Sequence, residues 1–141
     1  MTTQPLKVLC VEDSNADYLL IQRALKQSGM MDTCVRVDTH EALTEALAQG
    51  QWDVVLSDYS VPGMYFIQTL GLLQRRFPNL PLILVSGTVG EIKAAALVEL
   101  GAWGSVSKNN LGRLPLVIEE AMRAGKEGRA RYHSPPEDPD V

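Results

Sequence analysis

Four polar stations interrupt the chain, each directly after an apolar or β-branched run: Glu12-Asp13, Asp58, Ser86 and Lys108. Together they offer three carboxyl groups, one hydroxyl and one ammonium. Carboxylates held side by side repel one another, and their arrangement is stable only with compensating positive charge. Lys108 supplies one such charge. A divalent ion would supply the rest, and oxygen donors without a neighbouring His or Cys favour Mg²⁺ over Zn²⁺. Mg²⁺ held by carboxylates commonly faces a phosphate, so the chemistry implied is phosphoryl transfer. Taken singly, each station has a plainer account. An acidic pair after a strand suits the dipole at a helix start, and Asp58 could open the turn toward Pro62-Gly63. Ser86 could be a polar strand end and Lys108 a solvated loop residue.

The elements that carry these stations alternate regularly. Leu6-Lys7-Val8-Leu9-Cys10-Val11 reads as a buried strand, and Ser14 caps a helix with Ala16, Leu20, Ile21, Ala24 and Leu25 at helical spacing, stopped by Gly29. Thr33-Cys34-Val35-Arg36-Val37 is a second strand. A helix follows Thr39, with Ala42, Leu43, Ala46 and Leu47 on one face and Gly50 as its stop. Val54-Val55-Leu56 is a third strand, and a helix over 66–77 is closed by Pro78. Leu82-Ile83-Leu84-Val85 is the fourth strand, before a helix over 91–100 stopped by Gly101. Ser105-Val106-Ser107 is a weak fifth strand, and Pro115 opens a last helix with Leu114, Val117, Ile118, Ala121 and Met122 turned inward. Five βα units in series imply an α/β fold, a doubly wound five-stranded parallel sheet with helices on both faces. In such a sheet ligands bind outside the carboxyl ends of the strands, where all four stations fall.

In this combination the sequence resembles a response-regulator receiver domain over roughly residues 6–123. The motifs are Val11-Glu12-Asp13-Ser14, Asp58-Tyr59-Ser60-Val61-Pro62-Gly63, Val85-Ser86-Gly87-Thr88 and Lys108. The resemblance implies the flavodoxin-like receiver fold with strand order 2-1-3-4-5. It makes Asp58 the phosphoacceptor, with Asp13, Asp58 and the backbone carbonyl of Ser60 holding Mg²⁺ and Glu12 acting on the ion through water. Ser86 and Lys108 would contact the phosphoryl group, and Thr88 and Ser60 would tune its removal by water. The donor would be a sensor histidine kinase or a histidine phosphotransfer protein, and the output a downstream protein or a homodimer. The protein would be a signalling phosphoacceptor and not an enzyme in the ordinary sense.

The sequence also departs from the commonest receiver pattern. Lys108 is followed by Asn109-Asn110-Leu111 in place of proline, as in a subgroup with Lys-(Asp/Asn)-Asn-Leu. Ser105 stands where receivers often carry an aromatic residue coupled to the phosphorylated state. Trp103 is placed near the face built by the fourth helix, fifth strand and fifth helix, which receivers often use for dimers and outputs; a packing role is its other reading. Phe66 reads as core and Tyr65 as a contact near the acceptor.

Three other readings compete. A flavodoxin-like cofactor binder would use Ser86-Gly87-Thr88-Val89-Gly90 as a phosphate cradle, although Thr88 to Glu91 has the spacing of a capping box. An aspartyl-phosphate phosphatase would want an acid where Ser60 stands. A pseudo-receiver would keep the fold without phosphorylation.

Composition narrows the field. The 141 residues, 45% hydrophobic and 21% charged, suit one globular domain, and a net charge of −4 argues against nucleic acid as the main partner. Cys10 and Cys34 form no CxxC pair, and no apolar run is long enough for a membrane span, so a reducing cytoplasmic location is expected. The receiver is expected over 5–127. No second periodic segment follows Met122, so a stand-alone module is expected, and Ser134-Pro135-Pro136-Glu137-Asp138-Pro139-Asp140 marks 128–141 as a disordered tail or docking arm.

Overall fold

Strand and helix alternate five times along residues 5–127, the part of the chain that the computed structural model describes; for residues 31, 32, 126 and 127 it describes the backbone alone. The expected tail at 128–141 lies outside the described residues. In chain order the elements are β1 (Leu6–Val11), α1 (Asn15–Gln27), β2 (Met31–Val37), α2 (His40–Gln49), β3 (Val54–Ser57), α3 (Phe66–Arg76), β4 (Leu82–Ser86), α4 (Glu91–Glu99), β5 (Gly104–Ser107) and α5 (Leu114–Glu127). All strand pairs are parallel and their order is β2-β1-β3-β4-β5, as expected for a doubly wound receiver-type sheet.

The inner strands read as unbroken apolar runs because helices cover both faces of the sheet. Alternate residues serve opposite cores. Leu9, Val11 and Val55 pack with Leu43, Leu47, Phe66, Leu70 and Leu97 from α2, α3 and α4. Val8, Cys10, Val54 and Leu56 pack on the other face with Ile21, Leu25, Leu114 and Ile118 from α1 and α5. Parallel pairing then brings every carboxyl end to one rim. Val11 stands opposite Ser57, and Ser86 opposite Ser107, so Glu12, Asp58 and Lys108 each follow the last paired residue of their strands.

Local signals mostly act where the sequence puts them. The Ser14 hydroxyl accepts from the Asp17 amide at 3.2 Å, capping α1, and Thr39 does the same for the Ala42 amide at 3.0 Å before α2. Gly101 ends α4 with φ +131°, a conformation unfavourable for any residue with a Cβ.

Four details differ from expectation. β2 begins at Met31 instead of Thr33, because its pairing to β1 extends back to Leu6 across an irregularity. Leu20 is 52% exposed, so α1 buries a narrower face, Ile21 and Leu25, than its apolar content suggests. The Thr88–Glu91 capping box does not form; Gly90 is the N-cap of α4 and has no side-chain cap bond. Before α5, residues Lys108–Arg113 make 3₁₀ turns with a kink at Asn110 (φ −143°, ψ 53°), an element that the Asn-Asn-Leu sequence did not signal. The described residues contain no cis peptide bond, and none of their helices is long and apolar enough to cross a membrane.

Candidate functional site

The rim of the sheet concentrates opposed charge around one lysine. Lys108 leaves the end of β5, its stem passing 3.6 Å from where a Cβ on Gly87 would sit. Its Nζ lies 2.8 Å from Glu12 Oε1, 2.8 Å from Asp17 Oδ2 and 3.1 Å from Asp58 Oδ2. The contacts to Asp17 and Asp58 are aligned hydrogen bonds. The contact to Glu12 is an ion pair without that alignment, and Oε1 has no hydrogen bond of its own. Burial alone would lower the lysine pKa, but bonding to Asp17, Glu12 and Asp58 outweighs it and holds the ammonium above its ordinary value.

Glu12 is 1% exposed. Burial pushes its carboxyl up from the ordinary range, against the opposing pull of Lys108 and of the Ser14 amide, which donates to Oε2 at 3.0 Å. Arg36 fixes the backbone here by donating to the Glu12 carbonyl at 3.1 Å. Asp58 has one oxygen on Lys108 while the other accepts from the Tyr59 amide at 2.7 Å. Oxygen atoms of Glu12, Asp13 and Asp58 all lie within 4.8 Å of one another. That donor set is oxygen only and more negative than one lysine can balance. It suits a hard divalent cation such as Mg²⁺.

The other residues singled out from sequence fall into two groups. Near the rim, Ser86 is 5% exposed and its hydroxyl faces its own loop, accepting from the amides of Thr88 (3.3 Å) and Val89 (3.4 Å). Thr88 and Ser60 are exposed on the loops after β4 and β3. Away from it, Trp103 is half-buried and packs against the α5 side of the core, close to Gly125, while Ser105 is half-buried on β5. Phe66 is core at 3% exposure and Tyr65 is 68% exposed at the N-cap of α3.

Three participants were missed. Asp17 reads in the sequence only as a capping partner of Ser14, yet it makes one of the shortest contacts to Lys108, 91 positions away. Its place four residues after Asp13, at the start of a helix facing the rim, was the available signal. Tyr59 and Lys93 were also missed. The Lys93 ammonium lies 4.4 Å from the centroid of the Tyr59 ring, which in turn lies 6.1 Å from that of Phe66, so the start of α4 is tied to the loop beside Asp58.

The model of the family described as "Response regulator receiver domain" matches residues 8–119. The response regulator protein FleR of Pseudomonas aeruginosa is 35% identical over 98 residues, 68% of this chain and 20% of FleR. The DNA-binding transcriptional regulator NtrC of Escherichia coli is 29% identical over 125 residues, 89% of this chain and 25% of NtrC. The chain thus spans a quarter or less of these two relatives. Among solved structures, the signal receiver domain of a putative Luxo repressor protein from Vibrio parahaemolyticus superposes with a TM-score of 0.75 at 20% identity, covering 89% of this chain and 99% of that one. A response regulator receiver domain protein from Clostridium thermocellum gives 0.73 at 20% identity, covering 86% of this chain and 97% of that one; both likenesses concern the fold.

Proposed function

The chain belongs to the response-regulator receiver domain family, and from that premise we propose that Asp58 is the phosphoacceptor, taking its phosphoryl group from a sensor histidine kinase or a histidine phosphotransfer protein. The observation that carries the reading is the convergence of Glu12, Asp13 and Asp58 within 4.8 Å beside Lys108. Asp13, Asp58 and the backbone carbonyl of Ser60 would hold Mg²⁺, with Glu12 acting on it through water, and its charge would offset that of the phosphoryl oxygens.

The protein's own groups do the rest. An oxygen of Asp58 attacks phosphorus in line, a P–O bond forms, and the bond to the donor breaks with its electron pair leaving on the donor atom. Lys108 offers its ammonium to the phosphoryl oxygens. Ser86 would rotate from its acceptor role in the Thr88 and Val89 turn to donate its hydroxyl to the same group, drawing the loop before α4 with it. Thr88 and Ser60 flank the approach of water that later releases phosphate, and their exposure supports that role.

The signal then leaves by protein contact, to a downstream target or a second copy. Work in the cytoplasm follows from such a kinase partner. Ser105 lies on the edge strand β5 and Trp103 directly precedes it, but the packing of Trp103 against α5 supports a structural share for the tryptophan. Incubation of the protein with acetyl phosphate and Mg²⁺ should give an acid-stable, base-labile phosphoryl label that Asp58→Asn abolishes. An unlabelled wild type, or equal labelling of the variant, overturns the assignment and favours a pseudo-receiver.

A further inference from the structure

The Lys108 ammonium is already surrounded by three carboxylates, with aligned bonds to Asp17 and Asp58 and a 2.8 Å ion pair with Glu12. A phosphoryl group built on Asp58 would place its oxygens beyond the carboxylate. To bond them, Lys108 must release an existing partner. Glu12 is 1% exposed and leaves an uncompensated charge in the interior if abandoned, whereas the Asp17 side chain is 38% exposed and water can replace the lysine there. Asp17 is therefore the partner that yields. It also lies outside the Glu12, Asp13 and Asp58 group, so a cation held by those three leaves its charge standing.

We propose that Asp17 is a positioning residue for Lys108 that competes with the phosphoryl group on Asp58 for the ammonium, and thereby shortens the life of the phosphorylated state. The inference rests on Asp58 being the phosphoacceptor. Geometry confines the exchange to the end of the lysine: Gly87 backs its stem and β5 fixes its start, so Nζ moves between Asp17 and the phosphoryl oxygens while the backbone stays in place.

Asp17→Asn isolates the effect, because it keeps the side chain's shape and leaves intact the Ser14 cap, which uses the Asp17 backbone amide. The full chain is labelled with acetyl phosphate and Mg²⁺, the donor is removed, and the remaining acyl phosphate is followed with time. The label on Asp17→Asn should persist about threefold to fivefold longer than on wild type, the worth of one partly exposed charge pair. In the Lys108→Ala background the same substitution should change nothing, since Asp17 acts through Lys108.

Equal lifetimes for wild type and Asp17→Asn, or an undiminished gain without Lys108, overturn the proposal while leaving Asp58 as acceptor. A wild type that takes no label overturns the underlying reading and this one together. Beryllofluoride affinity in the presence of Mg²⁺, read by ¹⁹F NMR, gives the same comparison without group transfer if Lys108→Ala labels too slowly to follow. Asp17→Asn should bind more tightly by the same factor, and only when Lys108 is present.

Discussion

Four carboxyl groups, from Glu12, Asp13, Asp17 and Asp58, share the neighbourhood of a single ammonium. Like charges so close cost stability unless a cation joins them. Removing one carboxylate should therefore strengthen the fold. Asp58→Asn relieves repulsion toward Glu12 and leaves Lys108 its bonds to Asp17 and Glu12, so a gain of about 1 kcal/mol is expected without Mg²⁺. For a domain of this size that is roughly 4 °C in melting temperature. Added Mg²⁺ should raise the wild-type melting temperature more than that of the variant, so the gap narrows. A variant that melts lower than wild type in Mg²⁺-free buffer would show that repulsion is not the governing term. Lys108 carries the opposite sign. Its folded pKa is raised, so its contribution is fully present below the ordinary lysine value of 10.5 and is lost only as pH rises through the folded one.

At the scale of elements, the junction between the loop after β4 and α4 has few side-chain anchors. The N-cap of α4 is Gly90 without a side-chain bond, Ile92 is 90% exposed, and the helix is secured near its start by Lys93 over Tyr59. Tyr59 follows Asp58 directly, so chemistry at the acceptor is mechanically close to α4. A lysine–tyrosine contact of this kind is worth about 0.5–1 kcal/mol. Lys93→Ala should accelerate amide hydrogen exchange over residues 89–94 by about twofold to fivefold, leaving β1 and β3 unchanged. Uniform acceleration across the sheet, or none at 89–94, would show that the contact does not anchor the helix.

For the molecule as a whole, the central sheet is sealed on both faces, with Val8, Leu9, Val54, Val55 and Leu56 all at 0% exposure. Cys10 sits inside this layer, and burial, followed by neighbouring Cys34, Glu12 and Asp58, pushes its thiol far above the ordinary value. The reactive thiolate is therefore scarce in the folded state even at alkaline pH. A thiol reagent at mildly alkaline pH should modify Cys10 at the rate of unfolding, and faster only as denaturant opens the sheet. Prompt modification under native conditions would reveal a local opening of β1.

Elements and order of the fold were legible because periodicity reports directly on burial: runs such as Leu82-Ile83-Leu84-Val85 suit only a strand covered on both faces, and the series of βα units leaves few topologies. Polar residues following those runs were legible for the same reason, since parallel strands must end on one rim. The 3₁₀ turns of Lys108–Arg113 were not, because Asn109-Asn110-Leu111 has no period, and the missing capping box at Thr88 was decided by Ser86 taking the Thr88 and Val89 amides. Above all, Asp17 could not be assigned. Its alliance with Lys108 spans the sheet edge, and only the packing of α1 beside the end of β5 decides which of several carboxylates an ammonium will meet. The sequence determined which chemical groups would gather at the rim. The tertiary structure decided how they are paired, because pairing depends on distances between elements that no local pattern encodes.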